Sequence, residues 1–409
     1  MNALIHKHRT GTKGVMRREL RVLSTNFFIV LMIIIAPLLY PFLYNTVYIN
    51  KMEHNVDITV VDCDKTAASR QFIRDLDAHE LLAVNMVCND LEQAKKRLES
   101  LTTSAVVVIP EHFAENLQKG KQTRISVSIS NLRFLVTSDI NRGLSDVIST
   151  RAAGSILIML EKNGLSREQA IAQAQPINPI IAPMFNTTES YGDFIIVGLL
   201  LVILQQTLFL GVSVGMAMER EDNTLRHLFR TALFSKSSII IGKGGFYMIL
   251  FSTFILLYCT IYYSIYSVPI SGSLSALAVL SLVHIASIII WALTISSFFK
   301  DKILAMTTLL FSSYPVFFLS GYSWPNQALF PLLKPIAQLM PSTPFFKAFA
   351  IVSQMNGTWQ DIFPLLIHML VLLATGLIVL WIRLWWLQRT LPGPTKNSPI
   401  QNTKLAANS

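Results

Sequence analysis

The chain has 409 residues, of which 52% are hydrophobic and only 14% charged, and its mean hydropathy is +0.48. This composition is too apolar for an ordinary soluble domain and predicts a polytopic helical membrane protein. The formal charge of +10 does not indicate a nucleic-acid partner. The basic residues are concentrated before the first apolar run, after the last one and in alternate loops between the runs. By the positive-inside rule, this distribution predicts that both termini are cytoplasmic.

The amino-terminal segment, 1–26, is basic, and its residues Met16, Leu20 and Phe27 fall on one helical face. We predict a cytoplasmic amphipathic helix that lies in the membrane interface, followed by a first span at 27–48. A cleaved signal peptide is the alternative. The apolar run is too long for a typical signal-peptide core, so we favour a retained anchor.

The segment 49–192 differs in composition, because its acidic and basic residues nearly balance. Its apolar runs predict four strands, at 56–62, 81–87, 105–110 and 124–130. Helix-like stretches separate them, and two further helices, at 134–162 and 166–175, lead back to the membrane. Strands that alternate with helices predict an inserted α/β domain, which the topology places outside the cytoplasm.

Two of the three cysteines, Cys63 and Cys88, each follow a predicted strand of this domain. In an oxidising compartment they could form a disulfide. Two separate buried thiols are the alternative, and the sequence cannot choose because it does not supply the geometry.

Apolar runs predict span two at 193–218, spans three to five within 244–322, and span six at 361–387. The proline-rich stretch 323–360 is predicted to be a re-entrant or interfacial element on the outer side rather than a crossing. Six spans follow in total, and residues 388–409 are predicted to form a cytoplasmic tail.

The cytoplasmic loop 219–243 contains an apolar stripe at helical spacing. The stripe consists of Leu225, Leu228, Phe229, Ala232 and Leu233. Asp222 or Asn223 is predicted to cap this short helix. A linker needs no such stripe, so the stripe predicts contact with either the lipid interface or a protein groove; the pattern leaves both open.

The string EREDNTLRHLFRTAL, followed by IIIGK, resembles the loop between spans two and three of ABC-2-type transporter permeases. FFLSGYSWP at 317–325 resembles that family's segment between spans five and six. The insert, with VVDCDKTAASRQFIRDL, resembles the subgroup with a large extracytoplasmic domain. One departure is Arg230-Thr231-Ala232, where a valine and a Thr-Pro pair are usual; it leaves the end of the helix undefined.

The resemblance implies that the loop forms a coupling helix that docks on a separate ATPase subunit. The residues it assigns to coupling are Glu219, Glu221, Thr224, Leu225, Leu228, Phe229, Thr231 and Lys243. It also implies a second permease chain, identical or homologous, because six spans make half a transporter. A periplasmic membrane-fusion adaptor is a further expected partner, and membrane lipids surround the spans.

The chain itself is not expected to be an enzyme. It lacks the G-x-x-x-x-G-K-[ST] pattern that cradles phosphate, since Gly242-Lys243 stands without the required spacing and hydroxyl. ATP and magnesium are therefore expected in the partner ATPase, and we predict no cofactor, catalytic residue or metal site in this chain. The spans also lack the ionisable residues that are typical of ion-coupled carriers.

Polar residues in spans two and five predict the substrate pathway, because polar groups in hydrocarbon tend to face protein or a cavity. With one aromatic neighbour, they are Gln205, Gln206, Thr207, Ser312, Ser313, Tyr314 and Phe317. The alternative for each is ordinary interhelical packing. Phe317 and its apolar neighbours favour a hydrophobic or amphiphilic substrate.

Together these features predict the permease subunit of an exporter in a bacterial inner membrane, with a periplasmic α/β domain. One alternative is a mechanotransmission complex, in which ATP-driven motion works the outer domain and no substrate crosses. Another is a surface receptor with a helical anchor. Polar residues in the spans favour transport over the first alternative, and the coupling helix would have no task in the second.

Overall fold

The computed structural model describes residues 11–47, 53–132, 134–174, 191–265 and 272–390. The chain divides into two compact units, and residues Asn50–Gly192 form the second. Met1–Ile49 and Asp193–Ser409 form the first. The extreme amino-terminal residues and most of the predicted cytoplasmic tail lie outside the described residues.

The first unit begins with four helical segments in succession. They are α1 (Thr12–Thr25), α2 (Phe27–Val30), a π-helical turn (Leu31–Ile35) and α3 (Ala36–Val47). Helix α1 lies entirely within the predicted amphipathic segment, and Val15 and Glu19 are buried among its described side chains.

The second unit contains a four-stranded sheet and five helices. They follow in the order β1 (Val56–Asp62), α4 (Ala67–Asp77), β2 (Leu82–Cys88), α5 (Leu91–Glu99), β3 (Ala105–Ile109), α6 (Phe113–Gln118), β4 (Ser126–Ile129), α7 (Phe134–Lys162) and α8 (Arg167–Ala174). The strands lie in the order β2-β1-β3-β4, with β1 parallel to β2 and β3, and β4 antiparallel to β3. The four strands lie where the apolar runs predict them.

The sheet of this unit is covered on both faces, which is why its central strand β1 is an almost uninterrupted apolar run. One face carries a core that includes Ile58 and Phe72, together with Ile140 from α7. The opposite face packs a smaller cluster with Ala94 from α5. At the edge, β4 alternates exposed serines with half-buried apolar residues, as a one-sided edge strand should.

The first unit resumes at Asp193, within α9, and its described residues from there on form ten further α-helices and two short turns. They are α9 (Tyr191–Glu221), α10 (Leu225–Thr231), α11 (Lys236–Leu257), a π-helical turn (Tyr258–Tyr262), α12 (Tyr263–Ile265), α13 (Leu274–Ser296), α14 (Lys302–Phe311), α15 (Ser313–Leu319), a 3-10 turn (Asn326–Ala328), α16 (Leu333–Gln338), α17 (Ser342–Gln354) and α18 (Trp359–Thr390). Side chains cap three of these helix starts: Ser235 accepts from Ser238 N, Ser273 from Ala276 N, and Asp301 from Leu304 N.

Six helices within the described residues are long and apolar enough to cross a membrane, and five of them lie at predicted spans two to six. The sixth is Val136–Lys162 of α7, which the sequence placed in the inserted domain. Its Val136, Ile140 and Leu144 pack into the core of the sheet unit, so the first half of this helix belongs to that core.

The predicted first span is helical from Phe27 to Val47, but the π-helical turn at Leu31–Ile35 divides it. Its apolar helix, Leu31–Tyr44, includes this turn and is shorter than the six helices that are long enough to cross a membrane. Gly211 of α9 lies against this turn, and a Cβ on Gly211 would meet the Ile33 side chain at 2.3 Å. The glycine thus permits a close contact between the two helices.

The centre of the first unit is built around α13, which contacts α11, α17 and α18. Phe345 and Phe349 of α17 are almost fully buried in this core. The predicted re-entrant stretch therefore contains a 3-10 turn and two short helices, and the second of these helices packs on α13 and α18.

Candidate functional site

The loop that follows α9 is short and sharply bent. Asn223 has a left-handed backbone, with φ of 56°, between the end of α9 and the start of α10. Thr224 stands at the N-cap position of α10 but makes no capping bond; its hydroxyl donates instead to Glu219 Oε2 at 2.6 Å. The prediction that Asp222 or Asn223 caps α10 is therefore wrong, because Thr224 occupies that position and binds back to α9.

Four of the five residues of the predicted apolar stripe are buried within the chain itself. Leu228, Phe229 and Ala232 are fully covered and Leu225 is 8% exposed. They share a core with Val15 of α1, and α10 contacts both α1 and α11. The stripe was predicted to contact either the lipid interface or a protein groove. In the structure, α1 and α11 of the same chain cover these four side chains, so they are not available to a partner.

Two consecutive residues after α10 have left-handed backbones, Leu233 with φ of 56° and Phe234 with φ of 57°. A bulky residue is rarely found in this region of φ. The amide of Phe234 donates to the carbonyl of Phe229 at 2.7 Å, which closes the helix end. The Leu233 and Phe234 side chains are 63% and 50% exposed. This pair defines the helix end that the missing proline left undefined.

The outward face of α10 also carries His227 and Arg230, which are both exposed. The imidazole Nδ1 of His227 contacts Arg18 Nη1 of α1. We call His227, Arg230, Leu233 and Phe234 the outward face of the loop. It combines a basic end with two apolar side chains.

Beneath α10 lies a buried ion cluster formed by Arg18, Glu19, Glu219 and Lys243. Lys243 Nζ binds Glu19 Oε1 and lies 3.7 Å from Glu219 Oε1. Arg18 donates two bonds to Glu219, at 2.9 and 2.7 Å. Two cations and two carboxylates balance, which is the condition under which buried charges are tolerated.

This cluster connects three helices, since its members belong to α1, α9 and α11. Arg18 also connects it to α10 through its contact with His227. Of the residues that the resemblance assigns to coupling, Glu219, Thr224 and Lys243 therefore bind inside the chain. Arg18 and Glu19 are site residues that the sequence did not predict. Glu19 is an isolated acid in a basic segment, and this is the signal that could have identified it.

A second set of polar contacts joins the end of α9 to the turn before α14. Glu221 accepts from Lys302 Nζ at 3.1 Å and from the Lys302 amide at 2.8 Å. Arg220 donates to the carbonyl of Ser297 at 2.6 Å, and Arg383 of α18 donates to the same carbonyl at 2.9 Å. The end of α9 is therefore fixed to α18 as well.

The predicted pathway residues of span two are buried inside the first unit. Gln205 Oε1 accepts from Ser342 of α17 at 2.8 Å. Thr207 donates to carbonyls of its own helix at 3.0 Å, and Gln206 Nε2 is buried without a hydrogen-bond partner within the described residues.

The predicted pathway residues of span five lie where α14 ends and in α15. The hydroxyls of Ser312 and Ser313 donate to carbonyls of the preceding helical turn, where α14 gives way to α15. Tyr314 is 75% exposed and Phe317 is half-buried. Within the described residues no hydrogen bond joins these residues to Gln205, Gln206 or Thr207.

Cys63 and Cys88 are free cysteines in the structure, the first exposed and the second buried. No disulfide joins them there, although Cys88 ends β2 beside Val61 of β1. Cys259 is also free and partly buried.

Among known protein families, the model described as ABC-2 family transporter protein matches residues 27–385. The match includes the second unit, the α10 loop and nearly all of α18, whereas α1 precedes it. No curated protein matches the chain.

Proposed function

Because that model matches residues 27–385, the chain belongs to the ABC-2 family of transporter proteins, and we propose that it is the permease subunit of an ATP-driven exporter. The family's permeases are multi-pass membrane proteins that normally work with an ATPase subunit. We assign this chain to a bacterial inner membrane, with both termini in the cytoplasm and the second unit in the periplasm, where a membrane-fusion adaptor would bind.

The observation that carries the proposal is the outward face of the α10 loop. Its Leu233 and Phe234 are 63% and 50% exposed, although they follow a helix whose other apolar residues are buried. When an unfavourable backbone conformation holds apolar side chains outward, those side chains indicate a contact with another molecule. We assign this face, rather than Leu225 and Leu228, to the ATPase subunit.

The cluster beneath the face supplies a physical route for motion. A push on α10 acts on Arg18 through His227, and Arg18 is held by two bonds to Glu219 of α9. Lys243 extends the connection to α11. Packed helices and buried ion pairs move as rigid bodies. Closure of the ATPase on ATP would therefore shift α1, α9 and α11 together.

We propose a second permease chain at span five, which is the least covered of the candidate spans in the first unit. The window of α14 and α15 is only 17% buried in this chain, compared with 83% for α9. Phe311 and Tyr314 project from it with 78% and 75% exposure. We propose that these helices meet a second permease, identical or homologous, and that a hydrophobic or amphiphilic substrate passes between the two chains.

The pathway is assigned to Ser313, Tyr314 and Phe317 of span five. The buried positions of Gln205, Gln206 and Thr207 agree with interhelical packing, the alternative that the sequence left open. Polar residues of span two therefore no longer favour transport over mechanotransmission, and transport rests on span five and on the family.

The test of the proposed function is release of the ATPase from the outward face. Leu233→Asp/Phe234→Asp should lower the amount of ATPase that co-purifies with the chain by about tenfold or more, as loss of an interface hot spot does. Leu228→Asp would not test docking, because it places a charge in the core and destabilises the fold itself. The control is Leu101→Asp/Leu132→Asp, which changes two exposed apolar residues of the second unit and should leave co-purification unchanged.

Undiminished co-purification by the loop variant would refute the assignment of this face. If Leu233 and Phe234 instead lie in the lipid interface, the variant would lower the amount of chain in the membrane and leave the ratio of ATPase to chain unaltered. That result would also count against docking.

A further inference from the structure

A groove runs between α1 and α11 on the side of the first unit away from the buried ion cluster's carboxylates. Its volume is about 510 Å³. Four residues of each helix line it: Lys13, Met16, Arg17 and Leu20 from α1, and Phe246, Ile249, Leu250 and Thr253 from α11. In each helix these positions recur at i, i+3, i+4 and i+7, so the groove lies between two continuous helical faces.

The two helices lie side by side and run in the same direction. Thr12 Oγ1 lies 3.5 Å from Ser238 Oγ near the start of each helix. Further along, Glu19 accepts from the hydroxyl of Tyr247 at 3.4 Å. The groove therefore has its Lys13 end near Ser238, and its other end lies further along α11, beyond Phe246.

The Lys13 end of the groove is cationic. Lys13 and Arg17 are both exposed and stand one helical turn apart. Among the described residues no carboxylate pairs with either of them, and no acidic residue lines the groove. Glu19, the nearest acid in the sequence, is buried and bound to Lys243. Both cations are thus available to bind an anion.

The rest of the groove is apolar. Leu20 and Ile249 are 53% and 62% exposed, and Phe246 and Leu250 are partly buried beside them. Thr253 is the polar residue there, and its hydroxyl donates to the carbonyl of Ile249 at 3.0 Å. This end therefore offers hydrocarbon contact only. A ligand that satisfies both ends has an anionic head and an apolar tail.

We propose that this groove binds an anionic phospholipid, with the phosphate between Lys13 and Arg17 and an acyl chain along Leu20, Ile249 and Leu250. The lipid comes from the leaflet that contains α1, and under the proposed topology that is the cytoplasmic leaflet. Bound there, it holds α1 against α11 beside the ion cluster. This site is separate from the transport pathway and from the outward face, and its binding does not require the ATPase.

The purified full chain tests the proposal by native mass spectrometry. We expect it to retain phosphatidylglycerol and to lose phosphatidylethanolamine with the same acyl chains. Lys13→Gln/Arg17→Gln should weaken phosphatidylglycerol binding by about thirtyfold, because each cation near the headgroup contributes. Ile249→Trp, which fills the apolar end and keeps both charges, should weaken it as well.

Arg226→Gln/Arg230→Gln is the matched control, since it removes two cations from α10 and leaves the groove intact. Equal retention of the two lipids, or an equal loss in the control, would overturn the proposal. A protein occupant would also overturn it: a photo-reactive group at position 20 would then form an adduct with a second copy or with another polypeptide, whereas a bound lipid gives an adduct with the mass of a phospholipid. None of these results bears on ATPase docking, so the two proposals fail separately.

Discussion

At the scale of the residue, the packing of the first unit depends on a buried lysine whose partners the sequence alone does not reveal. Lys243 is 1% exposed and lies between Glu19 and Glu219. A buried cation is costly unless it is paired, and removal of one partner leaves the others uncompensated. The resemblance assigned this lysine to coupling, and its contacts show what it holds together: α1, α9 and α11.

Replacement of this lysine should destabilise the first unit. Lys243→Met leaves two buried carboxylates with Arg18 as their only nearby cation, and we expect a loss of about 3–5 kcal/mol. Glu19→Gln should also destabilise, whereas Glu19→Gln/Lys243→Met should lose less than the sum of the single losses, because the remaining Arg18–Glu219 pair is neutral. Thermal unfolding of the detergent-purified chain measures the difference.

Lys302→Ala is the comparison for these variants, because its pair with Glu221 is much more exposed. It should change the unfolding temperature little. Strictly additive losses at Glu19 and Lys243 would mean that the two side chains do not interact.

At the scale of the element, α1 is held on α11 by a close contact at a glycine. A Cβ on Gly242 would meet Val15 Cβ at 2.6 Å and the backbone oxygen of Thr12 at 3.0 Å. The backbone oxygen cannot move without a shift of α1. Gly245 lies one turn further along α11, and a Cβ there would meet nothing within 4 Å.

These two glycines give a matched prediction for the docking of α1. Gly242→Ala should lower the unfolding temperature, because α1 must move away from α11. Gly245→Ala should leave it unchanged or raise it, since alanine is favoured over glycine inside a helix by about 0.5–1 kcal/mol. If both variants behaved alike, the close contact at Gly242 would not be what holds α1.

The same element scale explains the short α10. Its seven residues could not form a stable helix alone. Burial of Leu225, Leu228 and Phe229 against α1 and α11 supplies the missing stability. The length of α10 is then set by the left-handed pair that follows it rather than by a proline.

At the scale of the whole molecule, the proposed topology places the second unit and the α10 loop on opposite sides of the membrane. The exposed thiol of Cys63 reports on the second unit. In intact spheroplasts a membrane-impermeant maleimide should label the wild-type chain. It should label Cys63→Ser/Asn223→Cys, which moves the thiol to the exposed loop, only after permeabilisation.

The reverse pattern of labelling would invert the topology and remove the basis for ATPase docking at α10. Labelling of Cys63 that requires a reductant would reveal a disulfide in the cell, in contrast to the free thiols of the structure. Cys63→Ser alone gives the background from buried Cys88 and partly buried Cys259.

The sequence by itself determined where most of the elements lie. In lipid each spanning helix must satisfy its own backbone hydrogen bonds, so a long apolar run specifies a span without reference to its neighbours. The strands of the second unit are specified in the same local way, by the length and spacing of their apolar residues. Charge placement, which also needs no contacts, predicted the orientation.

Only the tertiary structure decided what the chemically distinctive residues contact. Glu19 and Lys243 lie 224 positions apart, Gln205 pairs with Ser342, and the stripe of α10 is covered by α1. A periodic pattern states that a face must be buried, but it does not state by what. The partner of such a face is decided only when distant segments pack. In this chain that packing buries Leu225, Leu228 and Phe229, which were predicted to dock on the ATPase, and leaves Leu233 and Phe234 exposed.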